Sequence, residues 1–315
     1  MKLRVAIIGA SRRKQGTGPY VARIFHELGH TVSAFVGTST ATIEETQLSL
    51  RSQYGIEAQG FTSLTQLLDQ RTIDVIAICS PATTHAEYLR EALKTNCAIF
   101  CEKPFLWSHD TPVDSCVSET QKLIHVAQKK GTYIHLNTQW PYTLPYFHQL
   151  YPSTKTDAGN INHFSMLLSP NSAGPSMIVD SASHLLSMLY HLMGTGELQS
   201  IQWQPTFSDN TRTARLNFVY CHHHGATNVV FDVCNSSEIP KPAAYAINHC
   251  RVDRRVAMPD YVLKLARDNT EIDMIDPLEL SIRDFIAGWQ AGLTSDYASL
   301  AAGMKHLSTL VNSSS

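Results

Sequence analysis

Residues 3–29 read LRVAIIGASRRKQGTGPYVARIFHELG, and the parsing of this stretch decides the fold. The run VAIIG has the continuous aliphatic character of a strand covered on both faces. PYVARIFHELG places Val21, Ile24, Phe25 and Leu28 on one side of a helix. Thr17 or Gly18 is its candidate cap, Pro19 sits where a first-turn proline loses no hydrogen bond, and Gly29 ends it. Between strand and helix, GASRRKQGTG stands where a dinucleotide-binding unit has G-x-G-x-x-G. Gly9, Gly16 and Gly18 supply the glycines, but the loop is about four residues too long. The free N–H groups around Ser11, the helix N-terminus and the charges of Arg12, Arg13 and Lys14 suit an anionic pyrophosphate. A solvated basic loop is the competing reading.

Working outward, the same alternation continues. TVSAFVG, DVIAICS, AIFCE and TYIHLN read as further strands, with helical patterns at 41–54, 84–95 and 113–130 between them. Residues 1–136 are therefore expected to form an α/β domain, a doubly wound, six-stranded, mainly parallel sheet. From 137 the texture changes. NINHFSMLLS, SIQWQPTF, ARLNFVYCHHH and TNVVFDVCN follow one another with turn residues between, which predicts an α+β domain over 137–315 with a large, open, mainly antiparallel sheet. Helical patterns at 177–193 and 279–292 accompany it.

The composition narrows the function classes. With 315 residues, 43% hydrophobic and 17% charged residues and a formal charge of −2, the chain is a globular protein with no basic excess for a nucleic-acid partner. The apolar run after Met1 is too short for a signal segment or a membrane span. Cysteines at 79, 97, 101, 116, 221, 234 and 250 form no C-x-x-C pair, which argues against a disulfide framework or a zinc ribbon and fits a reducing cytoplasm. In CHHHG, 221–225, strand alternation separates His223 from His222 and His224, so no metal is expected.

The second strand bears on the cofactor. A dinucleotide fold that selects NAD carries Asp or Glu at the end of this strand, for the ribose 2′-hydroxyl; here Gly37, Thr38 and Ser39 stand instead. No carboxylate repels a 2′-phosphate, and hydroxyls from Thr38 and Ser39 with Arg12 or Arg13 suit NADP. A plain turn capped by Thr or Ser would need no ligand.

The stretch IFCEKPF, 99–105, ends an apolar strand abruptly on two charges and a proline. Ligands of doubly wound sheets bind beyond the carboxyl ends of the strands, where AIFC delivers Glu102 and Lys103. With Asp74, Ser80, Pro81, His85, Ala92, Leu93 and Pro104, these residues match in identity and spacing a D-x-V-x-I-x-x-P-x-x-x-H segment followed by E-K-P. In this the chain resembles the Gfo/Idh/MocA oxidoreductases, and the resemblance runs on through DSASHLLSMLYHLMG and DPLELSIRDFIAGWQAG. It implies an NAD(P)-dependent enzyme with Ser80, Pro81, His85 and Glu102 near the cofactor. Lys103 is implied near the nicotinamide, polarising a substrate oxygen, and a cis peptide before Pro104.

The resemblance also assigns MIVDSASHLLSMLYHLMG. Asp180 and His184 are one helical turn apart and match the family's D-x-x-x-H, with Ser181, Ala182 and Ser183 where a glycine is usual. It implies His184 as general acid/base on the hydroxyl or carbonyl and Asp180 as its orienting partner or a substrate contact. In NTQWPYTLPYF, 137–147, Gln139, Trp140 and Tyr142 are implied at the substrate pocket. No Arg or Lys occurs between 137 and 154 to hold an acidic substrate from that side.

The expected function is hydride transfer between a nicotinamide and a carbinol or carbonyl of a sugar, cyclitol or related small polar substrate. The alternatives are a non-catalytic NAD(P)- and sugar-binding sensor, which the altered glycine loop favours, and an imine or tetrapyrrole reductase. Self-association as a homodimer or homotetramer through the open sheet is expected as well.

Overall fold

A computed structural model describes residues 1–11, 16–108, 110–206 and 208–314. The chain divides into two compact units, Met1–Asn137 with Leu278–Leu300, and Thr138–Pro277 with Ala301–Ser315. The return of 278–300 to the first unit departs from the expected division, which gave everything after 136 to the second domain.

In the first unit the elements alternate as the sequence predicts: β1 (Arg4–Ile8), α1 (Gly18–Glu27), β2 (Thr31–Val36), α2 (Thr40–Tyr54), β3 (Gln59–Phe61), α3 (Leu64–Gln70), β4 (Val75–Ile78), α4 (His85–Ala92), β5 (Ala98–Glu102), α5 (Val113–Lys130) and β6 (Ile134–Asn137). The six strands are ordered β3-β2-β1-β4-β5-β6, and every neighbouring pair is parallel. The order reverses between β1 and β4, so the crevice that binds ligands in such sheets lies beyond Ile8 and Ile78. At the opposite edge Arg4 and Asp74 clamp β1 to β4, with guanidinium-to-carboxylate distances of 2.7 and 2.9 Å. The Arg4 hydrogen bonds hold the Asp74 carboxyl below its ordinary pKa. Asp74 in the D-x-V motif is thus a strand clamp.

The C-terminal segment belongs here because it completes the core and covers an edge. Helix α8 (Pro277–Gln290) buries Leu278, Ile282, Phe285 and Ile286 among Val21, Phe25 and Phe100. Phe285 meets Phe100 edge-on at 5.6 Å and stacks on Tyr133 at 5.7 Å. At the sheet's outer strand the Ile134 N–H donates to Ser295 Oγ at 2.6 Å. A backbone donor on an edge strand is thereby satisfied without another strand.

The second unit holds α6 (Leu144–Leu150), β7 (His163–Leu168), α7 (Ser176–Met193), β8 (Glu197–Gln204), β9 (Thr213–His222), β10 (Gly225–Cys234), β11 (Ala244–Ile247), β12 (Cys250–Ala257), β13 (Val262–Arg267) and β14 (Thr270–Asp273). The last helix, α9 (Tyr297–Asn312), begins in the first unit and ends in this one. The sheet order is β14-β13-β12-β11-β7-β10-β9-β8. All neighbours are antiparallel except β7 and β10, which run parallel. Ala214, Leu216, Phe218 and Tyr220 alternate with more exposed residues along β9, so one face of the sheet is the packed one. Ile178, Ala182, Leu185 and Leu189 form the buried stripe of α7. Among the described residues no helix is long and apolar enough to cross a membrane.

Candidate active site

The glycine loop leaves its mark on backbone geometry. Gly9 has φ +83°, and a Cβ there would lie 2.8 Å from Ser80 Cα. A Cβ on Gly18 would lie 2.0 Å from the Gly9 carbonyl oxygen. The first turn of α1 therefore rests directly on the end of β1, and the end of β1 on the turn after β4. Only glycine at both positions permits this approach, which brings the N–H groups of α1 to the switch point of the sheet. This cradle fits a dinucleotide pyrophosphate. Arg12 and Arg13 lie outside the described residues, whereas Ser11 and Gly16 are half-buried.

Beyond β5, Glu102 is buried, at 8% exposure. Its Oε1 accepts from Thr17 Oγ1 at 2.8 Å and Asn137 Nδ2 at 2.7 Å, and its Oε2 from the Lys103 N–H at 3.3 Å. One carboxylate thus ties the start of α1 to the ends of β5 and β6, and fixes the backbone on which Lys103 stands. The Lys103–Pro104 peptide is cis and Lys103 is half-buried. His85 is wholly buried. Its Nδ1 lies 3.0 Å from Pro104 O and 3.2 Å from Phe105 O, its Nε2 2.9 Å from Ser80 O. Burial pulls its pKa down against these carbonyls. His85 is a positioning residue that ties the turn after β4 to the one after β5; it offers no surface to a ligand. Ser80 Oγ accepts from Thr84 Oγ1 at 2.8 Å.

At the end of β2, Ser39 is the N-cap of α2: its Oγ accepts from Thr42 N at 3.3 Å, and Thr42 Oγ1 accepts from Ser39 N at 2.9 Å. Thr38 Oγ1 lies 3.3 Å from Thr42 Oγ1. The Ser39 hydroxyl is therefore committed to the helix, while Thr38 is exposed.

In the second unit, α7 carries Asp180 exposed and His184 half-buried with its Nδ1 inward. Ser172 Oγ donates to Asp180 Oδ2 at 2.5 Å. Of the candidate substrate contacts, Gln139 and Tyr142 are half-buried. Trp140, in contrast, is a core side chain, packed edge-on to Tyr245 at 6.0 Å. Tyr245 is one of the largest fully buried residues, and the aromatic that looked like pocket lining is an anchor for the turn before α6.

Comparison with known proteins shows what the chain is similar to. Residues 3–138 match the Gfo/Idh/MocA oxidoreductase family, described as having an NAD-binding Rossmann fold. The match spans the parallel sheet of the first unit and less than half of the chain, and over that stretch the chain is similar to this family. Inositol 2-dehydrogenase of Salmonella typhimurium is 23% identical over 264 residues, covering 76% of this chain and 74% of that protein. UDP-N-acetylglucosamine 3-dehydrogenase from Acidithiobacillus ferrooxidans has the same fold, with a TM-score of 0.71, 16% identity and coverage of 99% and 98% of the two chains. So does the WlbA dehydrogenase from Thermus thermophilus, solved with NAD and UDP-GlcNAcA, at a TM-score of 0.66, 15% identity and 99% and 95% coverage. Two residues of the first unit escaped the sequence reading, Thr17 as a Glu102 ligand and Asn137 altogether. Their only signal was position, at the carboxyl edge of the parallel sheet.

Proposed function

We propose that the chain transfers hydride between NADP, in preference to NAD, and a carbinol or carbonyl carbon of a sugar, cyclitol or related polyhydroxylated substrate. The observation that carries this reading is the backbone cradle of Gly9, Gly18 and Ser80, with Glu102 presenting Lys103 from the neighbouring strand. When bound, the nicotinamide supplies the hydride acceptor or donor. The chain's residues do the rest. Glu102 keeps the Lys103 backbone in place, and the Lys103 ammonium stabilises negative charge developing on the substrate oxygen. In the alcohol-to-carbonyl direction His184 takes the hydroxyl proton as hydride leaves the carbon; in reverse it returns that proton to the oxygen. Asp180, held by Ser172, orients the imidazole or the substrate. Gly37 in place of an acid, beside exposed Thr38, supports NADP.

A titration of nicotinamide fluorescence with NADPH and NADH, then a screen of cyclitols, free sugars and nucleotide sugars with the tighter cofactor, tests the reading. Tighter NADPH binding and turnover of a polyol agree with it. A polyol bound beside the cofactor but never converted would make the protein a sensor, and equal affinities would remove the NADP preference. We also place the chain in the cytoplasm, on its free cysteines of which Cys79, Cys97, Cys101, Cys116 and Cys250 are buried thiols. Self-association through the less covered face of the eight-stranded sheet completes the proposal, and sedimentation at a single-chain mass would count against it.

A further inference from the structure

Strand β12 contains RVDRR, and its three arginines are treated differently. Arg251 and Arg255 are exposed and each meets a carboxylate, Asp253 at 2.7 Å and Glu271 at 2.6 Å. Arg254 falls in the alternate row, after Cys250 and Val252, which are 5% and 0% exposed, and its neighbour in β13 is the fully buried Leu265. Burial pulls the pKa of its guanidinium down. Its Nη2 donates to the Lys241 carbonyl at 2.9 Å, and its Nε is buried without a hydrogen-bond partner. No carboxylate lies within ion-pair distance of it among the described residues. Stability alone gives little reason to keep such a group, since Arg254 is half-buried, its Nε is orphaned and no counter-ion among the described residues offsets the cost of its partial desolvation.

The residue whose carbonyl Arg254 holds carries a second cation. Lys241 Nζ donates to Pro170 O at 3.1 Å and likewise has no ion-pair partner among the described residues. Pro170 belongs to the segment that follows β7, which also contains Ser169, whose hydroxyl is buried and unpartnered. Asn235 Nδ2 donates to Asn171 O and Ser172 O, both at 2.8 Å, and Ser172 in turn holds Asp180. From Pro170 to Ser172 the chain spans at most about 7 Å. Two unneutralised cations and an orphaned hydroxyl therefore gather at the end of the sheet where α7 presents Asp180.

We propose that Arg254 and Lys241 form an anion subsite, which holds a carboxylate or phosphate on the polyhydroxylated substrate while another carbon of that substrate is presented to Asp180 and His184. The proposal rests on the oxidoreductase reading above and narrows its substrate to acidic sugars or sugar phosphates. It also accounts for the lack of any cation in 137–154: the charge that recognises the acid comes from the sheet.

The test is calorimetric titration of the NADP-loaded protein with D-glucuronate, D-glucose 6-phosphate, D-glucose and inorganic phosphate. At least one of the two acidic sugars should bind about tenfold or more tightly than glucose, and which one does so separates carboxylate from phosphate. R254M and K241M should each weaken that acid by about 10- to 100-fold, as expected for lost charge-assisted hydrogen bonds, and leave glucose and NADPH affinities within about twofold. R254M should melt no lower than wild type, because a ligand-directed cation is dispensable to the fold. A lower melting temperature for R254M with unchanged acid binding in K241M would mean a structural guanidinium and overturn the proposal. So would equal affinity of wild type for glucose and both acids. If R254M fails to fold, the acid affinity of K241M decides by itself. Because binding is read as heat, acid binding without turnover sinks the catalytic reading and keeps the subsite, whereas turnover of neutral polyols without acid preference does the reverse.

Discussion

Gly18→Ala separates helix propensity from packing, because the two give opposite signs. Alanine is a better helix former than glycine by up to about 1 kcal/mol, so a reading of α1 by propensity predicts a more stable protein. The added Cβ, however, would sit 2.0 Å from the Gly9 carbonyl oxygen, closer than the 3.0 Å that real Cβ contacts respect. The obstacle is backbone, so the first turn of α1 must retreat from β1 by about 1 Å. Overpacking of this kind costs about 1–3 kcal/mol, which outweighs the propensity gain. The same retreat stretches any hydrogen bond from the α1 N–H groups to a pyrophosphate to near 4 Å. With about 1.5–3 kcal/mol for each charged hydrogen bond, the loss of one lowers cofactor affinity by about 10- to 150-fold, and the loss of two by up to about 10⁴-fold. Urea unfolding reads the stability and NADPH fluorescence the affinity. Gly29→Ala serves as the control: unlike Gly18→Ala it forces alanine into a left-handed backbone, at φ +85°, but with nothing within 4 Å of the new Cβ and at the other end of α1. It should lose about 1 kcal/mol of stability and keep its affinity within about twofold. A Gly18→Ala protein that is as stable as wild type and binds NADPH equally well would refute the packing of α1 on Gly9.

Burial depresses the His135 pKa to about 4, and the ring stays neutral in the folded state while it protonates near 6.5 when unfolded. Between these values the unfolded chain binds more protons, so stability present above pH 6.5 falls as pH drops toward 4, by at most about 3 kcal/mol; His135→Gln should flatten that part of the urea-stability profile. Gly37→Asp, whose Cβ needs only the Ile43 side chain to turn aside, should weaken NADP relative to NAD by about tenfold or more through repulsion of the 2′-phosphate, as read by paired fluorescence titrations. Lys103→Met, similar in length and uncharged, should lower kcat by at least about 100-fold on whichever substrate the screen yields, and Lys103→Arg should recover part of it.

What the sequence made legible was what repeats locally. Buried parallel strands are unbroken apolar runs, so VAIIG, DVIAICS and AIFCE announced the first sheet, but β3 is three residues long and left no pattern. The division at 278 was hidden because nothing local distinguishes a helix that buries Phe285 in its own neighbourhood from one that buries it in a core built more than 150 residues earlier. Helix α9 was faint for another reason: its apolar stripe of Leu300, Met304, Leu307 and Leu310 is interleaved with small residues. The E-K-P motif marked Lys103, yet the partners of Glu102 come from 85 residues before and 35 after it. Arg251, Arg254 and Arg255 are alike in the sequence until the strand register shows which of them points inward.

The most direct test of the account is the rate of the converted substrate with His184→Ala. If His184 moves the proton at the substrate oxygen, kcat should fall by about 10²- to 10⁴-fold while the NADPH dissociation constant stays within about twofold of wild type, and the loss should shrink at high pH for oxidation, where solvent base substitutes for imidazole. Turnover at the wild-type rate in His184→Ala would contradict the assignment of α7 to catalysis and, with it, the mechanism.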